Sequence, residues 1–178
     1  MKHYLTRGLT TVACCMVYLF SFGQTGQGSL TAQDKMFMTK AAIGNMAEIS
    51  AGQLAVAQAS SDSVKTFGQQ MITDHTNCLN ELKSIADSLQ VTLPAEPDAE
   101  HKAIAQQLMN KKGAAFDQAY IQSQIKDHKK VIALFKKQAS GGGNPRLQAF
   151  AQKYLPAVQM HLQMIPGNHS KSSMADMH

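Results

Sequence analysis

Five polar residues stand where a helical pattern asks for apolar ones: Glu48, His75, Gln124, His128 and His161. Ionisable groups in a helical core are costly unless they pair with one another or bind a metal. Imidazoles and carboxylates from facing helices are how bundles build metal centres. Glu48, His75, His128 and His161 are therefore the candidate ligands. Gln124, Asp74, Asp127 and Tyr120 are the residues expected to support them from behind. A histidine-rich set suits zinc, copper or a mononuclear iron. The same side chains admit a metal-free reading, a buried hydrogen-bonded network in a structural or interaction module of the cell envelope. Both readings are open on the sequence alone.

Other chemistry is sparse. Di-iron bundles use paired Glu-x-x-His motifs, but the residues three before His75, His128 and His161 are Ile72, Ile125 and Val158. Iron storage or oxygen activation of the ferritin type is not expected. No Cys-x-x-Cys-His marks covalent haem. With no nucleophile elbow, phosphate loop or paired carboxylates, no catalytic residue is assigned, and a non-enzymatic role is preferred. A weaker copper(I) set follows Met160-His161-x-x-Met164: His169, Met174, Met177 and His178. The plainer reading of those residues is a soluble tail in which Met and His are incidental.

Four long segments must position these groups. Apolar residues recur in steps of three and four along each, with no sustained alternation of period two. The first spans about 32–59, capped by Thr31 and Asp34, with Phe37, Ala41, Gly44, Glu48, Ala51 and Ala55 inward. The second spans about 62–89 after Ser60-Ser61-Asp62, which interrupts the pattern and caps it, with Val64, Gly68, Met71, His75, Cys78 and Leu82 inward. Pro94 and Pro97 end it, and Asp98 caps a short helix through Ile104 and Leu108. The third spans about 114–139, along Phe116, Tyr120, Gln124, His128, Val131 and Phe135. Gly141-Gly142-Gly143-Asn144-Pro145 ends it and starts the fourth, which carries Leu147, Phe150, Tyr154, Val158 and His161 to about Ile165. Pro156 should kink this last helix.

Short connections within each pair and some twenty residues between pairs predict two antiparallel hairpins joined by a long crossover with its own short helix. That is an all-α, ferritin-like four-helix bundle. A faint echo supports a repeated hairpin: Phe67-x-x-x-Met71-x-x-Asp74-His75 parallels Tyr120-x-x-x-Gln124-x-x-Asp127-His128.

The start of the chain reads as a signal peptide over 1–23. Lys2 and Arg7 are followed by an uncharged apolar run from Leu9 to Phe22 and small residues before a cut after Gly23. Lipid attachment at Cys14 or Cys15, and an uncleaved anchor, are the alternatives. Removing Lys2 and Arg7 lowers the formal charge from +5 to about +3, no footprint for nucleic acid. One cysteine then remains, Cys78, so no internal disulfide can staple the domain. The rest divides into a linker over 24–31, the bundle over 32–166 and a flexible tail over 167–178. The paired lysines Lys111-Lys112, Lys129-Lys130 and Lys136-Lys137 read as a solvated face, and membrane association is not required.

The set Phe37…Ala41…Gly44…Glu48, Phe67…Met71…Asp74-His75, Phe116-Asp117-x-x-Tyr120…His128 and Leu155-Pro156…His161 resembles the exported bacterial family called domain of unknown function 4142. The likeness runs from about Asp34 to Ile165. It implies a ferritin-like fold and a periplasmic or outer-membrane-associated location, since members are often labelled membrane or outer-membrane proteins. The family has no settled activity, so the resemblance adds no chemistry of its own.

Overall fold

The computed structural model describes residues 29–168. The expected signal segment, most of the expected linker and the residues His169, Met174, Met177 and His178 lie outside the described residues. Five helices follow in order: α1 (Ala32–Gln58), α2 (Asp62–Ser88), α3 (Ala99–Met109), α4 (Gly113–Gly141) and α5 (Pro145–Met164), with no strand among the described residues.

The helix starts are set by local chemistry. Thr31 and Asp34 close a capping box on α1: the Asp34 amide donates to Thr31 Oγ1 (3.1 Å), and the Thr31 amide donates to Asp34 Oδ2 (2.9 Å). Asn144 Oδ1 accepts from the amides of Arg146 and Leu147, with Pro145 in the first turn of α5. Asp98 Oδ1 accepts from the His101 amide to open α3. The start of α2 departs from the expected cap. Ser61 makes no side-chain cap bond, and Asp117 of α4 instead accepts from the Ser60 and Ser61 amides, each at 3.0 Å. Gly113 opens α4 at φ +60°, where a Cβ is disfavoured. α5 continues through Pro156 to Met164.

Three-residue links join α1 to α2 and α4 to α5, so each pair is an antiparallel hairpin. α1 also packs on α4, and α2 on α5, which closes a ring of four long helices. Hydrogen bonds fix the directions. Asp34 at the start of α1 meets Gln138 near the end of α4, whereas Ser60 beyond the end of α1 meets Asp117 near the start of α4. On the other side, Asp74 meets His161, and Ser88 meets Arg146. Every packed neighbour in the ring is therefore antiparallel, and the diagonal helices α2 and α4 run the same way. The chain between them must climb the length of the bundle, and α3 within it packs on α1 and α4.

Two apolar clusters fill the interior. One, toward the glycine loop, holds Phe37, Leu82, Phe135, Leu147 and Phe150. The other, toward the α1–α2 link, holds Val64, Phe67, Met71, Phe116 and Tyr120. Between them lies a waist of buried polar residues: Asn45, Glu48, His75, Gln124, His128 and His161. α1 and α2 come closest at Gly52 and Gly68. A Cβ on Gly52 would sit 2.7 Å from the Gly68 carbonyl oxygen, and one on Gly68 would sit 2.7 Å from Ala55 Cβ. Among the described residues, no helix is long and apolar enough to cross a membrane.

Candidate metal centre

The waist brings three imidazoles to one point. His75 of α2, His128 of α4 and His161 of α5 each place one ring nitrogen within 4.8 Å of the other two. Their ring centroids are 5.4–5.8 Å apart, and all three are at most 5% exposed.

Level counting along the second hairpin places His128 about one turn nearer the glycine loop than His161. The rings nevertheless meet. A helical side chain leans toward its own N-terminus, so His128 leans away from that loop and His161 leans toward it. The two leanings close a gap of about three residues of rise.

The hydrogen bonds fix the tautomers. His128 Nδ1 lies 3.0 Å from the Gln124 carbonyl oxygen, which can only accept, so this nitrogen donates. His161 Nε2 donates to the Asp74 carboxylate at 2.9 Å. His75 Nδ1 donates to Asn45 Oδ1 at 2.8 Å; the Asn45 amide nitrogen is identified by its own bond to the Ala41 carbonyl, 2.8 Å. Each ring thus spends its N–H on an outer acceptor. The remaining nitrogens, His75 Nε2, His128 Nε2 and His161 Nδ1, are buried and have no hydrogen-bond partner in the protein. They carry lone pairs.

Electrostatics keep the rings neutral. Burial, then the other two histidines, hold His75 well below its usual range. Burial pushes His128 down to about 4 against its bond to the Gln124 carbonyl. Burial lowers His161 as well, against the Asp74 bond. At neutral pH no proton must leave before these nitrogens can ligate.

Glu48 of α1 is not one of the three converging groups. Its Oε2 accepts from Gln124 Nε2 at 2.6 Å, and its Oε1 lies 3.7 Å from His128 Nδ1, the nitrogen already bonded to a carbonyl. Burial raises the Glu48 carboxyl to about 7, with the Gln124 bond opposing. Gln124 thus contributes twice, its side chain to Glu48 and its carbonyl to His128. Asp74 also accepts from Gln70, at 2.6 Å. Tyr120 stacks on Phe116 in the neighbouring apolar cluster, and its hydroxyl has no protein partner. Asp127 faces a cavity beneath α3 that it shares with Glu48, His101 and Gln124, and its Oδ1 has no protein partner. Asn45 is the residue the sequence reading missed. Its place three before Glu48 on the same helix face was the available signal.

The echo between α2 and α4 has a spatial counterpart. Phe67 faces Tyr120 at 6.3 Å between ring centroids, and His75 faces His128 at 5.8 Å. Cys78 also lies near: the Asn45 amide reaches its sulfur at 3.5 Å, and burial pushes the thiol up to about 12, which leaves it protonated. Against His75 and His161, α1 leaves a cavity of about 280 Å³, bounded by Ala41, Gly44, Asn45 and Glu48.

The family described as "Domain of unknown function (DUF4142)" matches residues 20–166. The chain belongs to this family. No curated protein matches it at a significant level, and no solved structure does. Membership in the domain of unknown function 4142 family brings no assigned ligand, so the reading of the waist rests on its own geometry.

Proposed function

We propose that this protein is an exported ferritin-like bundle that binds one transition-metal ion through His75, His128 and His161. The observation that carries the reading is the set of three buried, unpartnered lone pairs at the waist. Without a donor, each costs about 1–3 kcal/mol. A single water has two O–H groups and cannot serve three acceptors. A cation serves all three. A closed hydrogen-bonded network, the metal-free alternative, leaves these atoms unaccounted for.

Neutral imidazoles held by a carboxylate, a carbonyl and an amide oxygen are the donor set of zinc, copper or a mononuclear iron site. Tetrahedral binding at about 2.0–2.1 Å sets ligand nitrogens about 3.4 Å apart, a spacing the three rings, whose ligand atoms lie within 4.8 Å of one another, must close to on binding. Glu48 places a carboxyl beside the site, bonded to Gln124 and 3.7 Å from His128 Nδ1. The role that follows is sequestration or sensing of metal in the cell envelope. The ferritin-like topology is supported by the antiparallel ring and the long crossover, and export by the N-terminal sequence pattern.

The test is metal content of the untagged chain after exposure to zinc, copper and iron and removal of loosely held ions. The expected result is near one ion per chain, lost in each of His75→Ala, His128→Ala and His161→Ala. A folded chain that holds none of the three metals contradicts the reading and favours the network.

A further inference from the structure

Resting on the metal reading above, we propose that the bound ion keeps one coordination position open toward α1, and that the adjoining cavity delivers a small uncharged ligand to it. Three of the four long helices supply an imidazole, and α1 supplies none. What α1 turns to this side is Ala41, Gly44, Asn45 and Glu48, and the cavity they bound has the His75 and His161 rings in its wall. Gly44 is the residue that leaves the room. A Cβ built on it meets nothing nearer than Val131 Cγ2, at 4.0 Å.

Glu48 is poorly placed to fill the open position. Its carboxylate holds Gln124 and faces the outer nitrogen of His128, not the nitrogen that ligates. Asn45 is likewise committed to His75 and the Ala41 carbonyl. The fourth ligand must then come from outside.

Size and charge describe that ligand. About 280 Å³ falls below the roughly 300–1,000 Å³ of sites for drug-sized molecules, so it has few heavy atoms. Ala41, Val131, Phe135, Ala157 and Val158 make the walls largely apolar. Glu48 and Asp74 also line the cavity, so the acidic side chains beside an incoming ligand disfavour an anion and not a neutral donor. An anion would add charge in a low-dielectric space, whereas a neutral donor adds none. Lys40, also at the cavity, is exposed, and its charge is screened by solvent.

The experiment uses the full chain loaded with cobalt(II), whose visible absorption reports its ligands, with cobalt content measured in parallel. Imidazole and azide are titrated separately at pH 8, where imidazole is uncharged. The expected result is a saturable spectral change with imidazole, half-complete at a concentration at least about tenfold below that for azide, with cobalt retained. Gly44→Leu, and independently Ala157→Met from the α5 side, should keep the cobalt and lose the response. Cobalt bound but silent to both ligands means that the position is closed and overturns the proposal. Azide acting at the lower concentration overturns the uncharged class, and a response surviving both variants overturns the cavity as its route. A chain that takes up no cobalt and no zinc fails earlier, at the metal reading itself.

Discussion

At the scale of single residues, the waist works by giving every imidazole one outer acceptor and leaving one nitrogen over. The least obvious of those acceptors is Asn45, which orients His75. Asn45→Ala should preserve the fold and weaken metal affinity about 10–100-fold, measured by competition with a chromophoric chelator; unchanged affinity would remove Asn45 from the site. Protonation gives a second prediction, for the metal-free protein. The histidine values are lowered on folding, so the unfolded chain takes up protons first. The stability they contribute is present above about pH 6.5 and is lost as pH falls toward 4. Glu48 acts in the opposite sense. Its value rises from 4.5 to about 7, so its contribution is full below about pH 4.5 and is lost as pH rises through 7. In Glu48→Gln this opposition is gone, and urea unfolding at pH 5, 6 and 7 with chelator present should show stability climbing more steeply with pH than in the parent. Equal slopes would contradict the assignment. Of this layer, the histidines and Glu48 were legible because each interrupts an apolar stripe. Asn45 was not, because it flanks the stripe that was counted.

At the scale of elements, helix ends were the most readable feature. Asp98, Asn144-Pro145 and the Thr31–Asp34 pair each act through local hydrogen bonds, which sequence spacing encodes directly. Asp34 does more than spacing reveals: its buried carboxylate also accepts from Gln138 and the Gly143 amide, tying α1 to the glycine loop. Asp34→Ala should cost about 1–3 kcal/mol in urea unfolding, since it strands buried donors as well as a cap. A loss within about 0.5 kcal/mol would mean that the tie is unimportant. The tight crossing at Gly52 and Gly68 was hidden as well, because two glycines sixteen residues apart say nothing of mutual approach until the hairpin is folded. Gly52→Ala puts a methyl group against the Gly68 carbonyl and should destabilise by about 1–3 kcal/mol. The tie from Asp117 to the Ser60 and Ser61 amides was illegible for the same reason, since Asp117 is remote in sequence.

At the scale of the whole molecule, loop lengths carried most of the topology. Two three-residue links and one long one leave few ways to close four helices. Where α3 would lie, and that α1 would leave a cavity beside the histidines, depend on side-chain volumes across the bundle and do not follow from the pattern of any one helix. The waist joins all four long helices, so an ion there should stabilise the bundle as a unit. Thermal unfolding should shift upward with zinc in excess, by mass action, and return on chelation. The coordination of zinc in the loaded full chain, read by X-ray absorption, decides whether the three imidazoles hold the ion. Three imidazole nitrogens at about 2.0–2.1 Å, with one further light atom, is the predicted shell. A sulfur at about 2.3 Å, which would have to come from Cys78 or a methionine, or a shell with fewer than three imidazoles, would contradict it.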